Sequence, residues 1–100
     1  MTVNQSSNGL ATTLEIEGTL DALSAAELRP VIEALAAADR VHLTVELSHL
    51  DTIDASGVGA IVSIYKRVHA HRGEVRIQGL AGQPLQIFKL LKLDTLLRAA

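Results

Sequence analysis

The side chains best suited to chemistry are concentrated between Leu47 and Gly59 (LSHLDTIDASGVG), where His49, Asp51, Asp54 and Ser56 follow one another closely. Ser56 has the widest range of uses. As a catalytic nucleophile it lacks the G-x-S-x-G context that lifts a serine onto a sharp strand-to-helix turn. His49 is the only histidine near it in the sequence, and no third group is evident to orient that base, so a hydrolase is disfavoured. His49, Asp51 and Asp54 carry metal-capable atoms, but no second cluster completes a ligand set, and they read as solvated turn residues. Gly57-Val58-Gly59 lacks the third glycine and the distal acid of a dinucleotide fingerprint, and no phosphate-loop Lys-Ser/Thr pair occurs. Neither a cofactor nor a metal is expected.

The position of Ser56 also admits phosphoryl acceptance. Ser56 falls where an alternating strand pattern has stopped and a helical one begins. A helix amino terminus presents unpaired N–H groups and the positive end of the helix dipole, which suits a phosphoryl group. Gly57 and Gly59 have no Cβ, so a partner protein or a phosphate can approach the backbone there. A phosphate on Ser56 adds about −1.5 to −2 charges beside Asp54, enough to change a docking surface without refolding the domain. Position alone favours a plainer role, Ser56 as a helix cap with the glycines as loop residues.

The elements that must hold this stretch are legible. Asn8-Gly9 is a hairpin turn signal after a short first strand around Thr2–Ser6. Leu10, Thr12, Leu14 and Ile16 alternate with Ala11, Thr13, Glu15 and Glu17, a half-buried strand that Gly18 is expected to close. After a loop at 18–21, Ser24 and Glu27 form a capping box with Leu23 and Leu28 as a hydrophobic staple. Leu28, Val31, Ile32, Leu35 and Ala38 then make a helical stripe, with Pro30 expected to kink it or loosen its first turn. Val41, Leu43, Val45 and Leu47 alternate with polar residues, as do Val75 and Ile77. Between them runs a helix from about Ser56, with Val58, Ile61, Val62, Tyr65, Val68 and His69 on one stripe and Gly73 as its stop. Leu85, Ile87, Phe88, Leu90 and Leu91 form a short apolar helix with Pro84 at its start, and Asp94 caps a last turn. One polar face on the strands implies a sheet covered on one side only. The expectation is one α/β domain over residues 1–100, a single mixed sheet with helices packed on one face, in the order β-β-α-β-α-β-α.

Composition sets outer bounds. The chain is 48% hydrophobic and 20% charged with a net charge of −2, an ordinary globular profile. Two aromatics and a slightly acidic balance disfavour nucleic-acid binding. No cysteine means no disulfide and no thiolate metal site. No apolar run approaches about 18 residues, so no membrane insertion is expected. The first residues lack the regions of a signal peptide, so a cytoplasmic protein is expected.

From about residue 10 to residue 100 the chain resembles the STAS domain, the fold of the bacterial anti-sigma factor antagonists. Gly18-Thr19-Leu20-Asp21 is similar to the family's G-x-L-D, and Asp54-Ala55-Ser56-Gly57-Val58-Gly59 to its D-S-S/T-G-hydrophobic-G signature. The tail Phe88-Lys89-Leu90-Leu91-Lys92-Leu93-Asp94-Thr95-Leu96-Leu97 is similar to its final helix. The resemblance implies a partner switch: the antagonist binds an anti-sigma factor that is also a serine protein kinase, is inactivated by phosphorylation, and is restored by a serine phosphatase. It places Ser56 in the phosphoacceptor position and implies a partner-binding surface of Asp21, Ser24, Asp54, Ala55, Ser56, Gly57, Val58 and Gly59. Ala55 stands where the signature has a first hydroxyl residue, which leaves Ser56 alone beside the glycine. Glu46 stands where many antagonists have aspartate. The same fold also serves as a non-switching accessory subunit on transporter ATPases and in other signalling assemblies, a reading that needs no phosphorylation.

Overall fold

The computed structural model describes residues 1–9 and 11–98. Two antiparallel strands open the chain, β1 (Thr2–Asn8) and β2 (Ala11–Leu20). Gly9 takes φ +65°, and Asn8 lies opposite Ala11, so Asn8 belongs to the strand and not to the turn. The expected inward Leu10 lies outside the described residues. Then follow α1 (Ala22–Ala36), β3 (His42–Glu46), β4 (Leu50–Ile53), α2 (Ala55–Ala70), β5 (Glu74–Gln78), α3 (Gly82–Leu90) and a closing 3-10 turn (Asp94–Arg98).

The sheet order is β1-β2-β3-β5, with β4 added beside the end of β2. Apart from the β1–β2 hairpin its pairings are parallel. Register explains the layering. Thr12, Leu43 and Val75 are neighbours across three strands, as are Leu14, Val45 and Ile77, and all six are buried. The intervening residues, Thr13, Glu15, Thr44, Glu46, Arg76 and Gln78, make a polar face with none of its members buried. This is the one-sided mixed sheet that the alternation predicts. Beneath it α2 buries Val58, Ile61, Ile64 and Val68, each worth roughly 1.5–3 kcal/mol when fully covered. From α1 come Leu28, Ile32 and Leu35, and from α3 Phe88.

Several local expectations are corrected. Gly18 does not close β2. It takes φ +91° at a register shift, and the strand continues to Leu20 so that β4 can pair with it. The stretch expected as a loop after Leu47 therefore contains a fifth strand. Helix α1 runs unbroken through Pro30 and ends at Ala36, which is buried where Ala38 is exposed. Leu23 is 74% exposed and staples nothing. At the end of α2, Arg72 and not Gly73 takes the left-handed conformation (φ 62°). Gly73 is required by close approach, since a Cβ there would lie 2.6 Å from the Val41 carbonyl oxygen. His69 is exposed and stacks on Tyr65 with ring centroids 5.7 Å apart. Helix α3 starts two residues before Pro84, and its Leu90 is 77% exposed with Leu91 51%.

Candidate functional site

The site is built from two strand ends. Leu20 of β2 and Ile53 of β4 are register partners, and each runs directly into a helix through an aspartate. Asp21 and Asp54 keep extended backbones (φ −120° and −111°). The carboxylate of Asp21 accepts the N–H of Ser24 at 3.0 Å, and that of Asp54 accepts the N–H of Gly57 at 2.9 Å. The Asp54 N–H in turn donates to the Leu20 carbonyl at 3.2 Å. Two capped helix starts are thereby held side by side, each with unpaired N–H groups partly satisfied by a carboxylate.

These caps correct two expectations. Ser24 is not the cap of α1, because β2 extends to Leu20 and pulls the helix start back to Asp21. The Ser24 hydroxyl instead has the Thr19 carbonyl and the Asp21 carboxylate as acceptors, each at 3.0 Å, and its one proton serves one of them at a time. Ser56 is not the cap of α2 either. It is the second helical residue, one position beyond Ala55, and its side chain is exposed. Asp54, Ala55, Ser56 and Gly59 all lie exposed around this helix start. Gly57 and Val58 do not. A Cβ on Gly57 would collide with the Leu20 carbonyl oxygen and the Ile53 side chain, so its missing side chain serves packing against the sheet. Around Gly59 there is open space.

Two neighbours, Gln83 and Arg29, escaped the sequence reading. Gln83 of α3 clamps the end of β4: Ile53 N–H donates to Gln83 Oε1 and Gln83 Nε2 donates to the Ile53 carbonyl, both at 2.9 Å. The amide side chain thus stands in for a neighbouring strand immediately before Asp54. Its signal in the sequence is weak, a lone glutamine before a proline. Leu23, the second helical residue of α1, is the apolar counterpart of Ser56. Arg29 lines a groove of about 530 Å³ between α1 and α2, into which Ala22 and Ala25 on one side and Ser56, Ala60 and Ser63 on the other also open.

Two carboxyl groups near the site are shifted. The Ser24 N–H, then its hydroxyl, hold the Asp21 carboxyl below its usual range. Glu46, at the end of β3, is lowered first by the Ser48 hydroxyl and then by the Gln78 amide, which donates at 2.7 Å. The longer carboxylate at this position thus ties the turn after β3 and the end of β5 to the end of β3. His49, Asp51 and Asp54 do not converge. Asp51 is exposed on β4 while Asp54 caps α2, and among the described residues no three His, Asp or Glu side chains form a metal-holding group.

A small mixed α/β domain, with helices on one side of its sheet and a serine displayed after a capping aspartate, is the class that fold and site define. Residues 3–98 match the family model described as Mlab, STAS domain, and the chain belongs to the STAS domain family. An anti-sigma-B factor antagonist of Listeria monocytogenes is 21% identical over 82 residues, 82% of this chain and 72% of the relative. Among solved structures, the phosphorylated form of the Bacillus cell fate determinant SpoIIAA superposes with a TM-score of 0.76 at 17% identity, covering 94% of this chain and 86% of that one. A sulfate transporter family protein of Wolinella succinogenes gives 0.72 at 14% identity, covering 90% and 73%. Among the described residues no helix is long and apolar enough to cross a membrane.

Proposed function

We propose that this chain is a partner-switching regulator of the anti-sigma factor antagonist type. Unmodified, it binds an anti-sigma factor that is also a serine protein kinase. That kinase phosphorylates Ser56 and ends the interaction, and a serine phosphatase restores it. The partner surface comprises Asp21 with Ser24 behind it, and Asp54 to Gly59, with Gly57 and Val58 contributing from below as packing. The observation that carries this reading is the placement of Ser56: exposed, in the first turn of α2, two residues after a capping aspartate and level with a second helix start. A dianion added there meets the carboxylate of Asp54 and alters the charge of the whole rim. The similarity to anti-sigma factor antagonists supports the same reading.

With such a kinase and ATP, the wild type is expected to gain one phosphate and Ser56→Ala none, by intact-mass spectrometry with peptide mapping. A phosphate on Thr52 or Ser63 overturns the assignment. Ser56→Asp should weaken kinase binding at least tenfold, and unchanged affinity would count against electrostatic switching. Ser56→Ala itself should fold normally, within about 0.5 kcal/mol of wild type, because the side chain is exposed.

A second reading is an accessory subunit held on a transport ATPase; its support is that the same fold occurs in a sulfate transporter family protein. It predicts tight binding to that ATPase with no phosphate on Ser56 in protein isolated from the native cell.

A further inference from the structure

We propose that Arg29 is the internal receiver of a phosphoryl group on Ser56, its guanidinium reaching across the groove so that the modified serine ties α2 to α1. This rests on Ser56 being the phosphoacceptor and adds what the phosphate does next.

The geometry singles out Arg29. The caps Asp21 and Asp54 are level, because Leu20 and Ile53 are register partners. Ser56 is two residues beyond its cap (56 − 54) and Arg29 eight beyond its own (29 − 21), an offset of six residues. At 1.5 Å per residue that is about 9 Å along the groove. Helical side chains lean back toward the amino terminus, so the long Arg29 side chain leans toward Ser56 and closes much of this gap. Arg67 also lines the groove, but at thirteen residues beyond its cap (67 − 54) it lies about 16 Å further along than Ser56, out of reach.

Charge supports the same choice. Among the described residues Arg29 is in no ion pair, although Glu33 stands one helical turn away on the same groove wall. Its guanidinium is free to offer two parallel N–H donors to a phosphate, the geometry in which arginine exceeds lysine. Asp54 repels the phosphate from below, and the start of α2 attracts it. Neither depends on Arg29, so replacing Arg29 isolates its share. Once engaged, the phosphate would cover the mouth of the groove beside Ala22 and Ala25 and neutralise its nearest cation. A partner reading this face would meet a bridged surface in place of an open one.

The test uses full-length protein carrying phosphoserine at position 56, installed during translation, and follows the phosphate by ³¹P NMR through its second ionisation. The phosphate of the wild-type background should release its proton at lower pH than that of Arg29→Gln, by about tenfold in proton affinity. Arg29→Lys should recover part of the difference, and Arg67→Gln should leave the wild-type midpoint in place. Equal midpoints in wild type and Arg29→Gln overturn the proposal, as does an equal effect of Arg67→Gln. The phosphate is supplied without a kinase. Failure here therefore condemns the Arg29 contact, whereas failure of the phosphoacceptor reading shows separately as an unmodified Ser56 in the kinase assay.

Discussion

The starts of α1 and α2 are two versions of one construction. Leu20-Asp21-Ala22-Leu23-Ser24 and Ile53-Asp54-Ala55-Ser56-Gly57 align position for position: strand end, capping aspartate, alanine, exposed second residue, and a third residue whose N–H meets the cap. They differ in what secures them. At α1 the third residue is a serine whose hydroxyl reaches back to the Thr19 carbonyl. At α2 it is a glycine pressed against the Leu20 carbonyl and Ile53, and the strand end is clamped from outside by Gln83. They also differ in what they display, a leucine at α1 and a hydroxyl at α2. The comparison teaches that the exposed second residue is free to vary because it carries none of the structural work. The cap and the third residue carry that, and the displayed residue is where two otherwise matching junctions can specialise.

The largest expected effect breaks the α2 version at its glycine. Gly57→Ala forces a methyl group into a backbone carbonyl and should lower stability by about 3 kcal/mol, the upper end for overpacking, in urea denaturation. Gly59→Ala, with open space around it, should be neutral or stabilise by up to about 1 kcal/mol through helix propensity. Equal effects at the two glycines would end the claim that Gly57 is held by packing. Next comes the clamp. Gln83→Ala loses two hydrogen bonds to Ile53 and should cost about 1–2 kcal/mol, while raising amide exchange at Ile53 and Asp54 more than at Leu20. Uniform exchange would mean that Gln83 does not brace α2 selectively.

The smallest effect sharpens α1. The Asp21 carboxyl is held below its ordinary value of 3.8, so its stabilising contribution is fully present above that pH and is lost as pH falls through the lower folded value. Melting temperature followed below about pH 4 should therefore fall less steeply in Asp21→Asn than in wild type, since an amide still caps but does not titrate. Parallel curves would show that the cap has no ionic component.

Much of this was open to sequence reading, and the misses share a physical cause. β2, β3 and β5 alternate cleanly because one face meets helices and the other meets water. β4 has four residues and buries only its two ends, too short for a period to register. Local rules failed where pairing partners overrode them. Gly18 looks like a strand end, yet it pairs with Leu50 of β4 at a register shift and the strand runs on. Ser24 looks like a cap, yet the lengthened β2 hands that role to Asp21. Arg72 accepts a left-handed backbone so that Gly73 can pass close to Val41. At the site, Asp54 and Ser56 stand out by type and spacing. Gln83 and Arg29 come from distant segments, and only the fold brings them near.

The hydrogen bond from the Asp54 N–H to the Leu20 carbonyl has a consequence for any enzyme that handles Ser56. The serine belongs to a folded epitope and not to a linear motif. Drawing residues 53–58 into an extended stretch would break that bond, empty the Asp54 cap and pull Gly57 out of its seat. A modifying enzyme must therefore grip the domain as a solid object and address a hydroxyl on a helix, and a short synthetic peptide of the same residues would make a poor substitute.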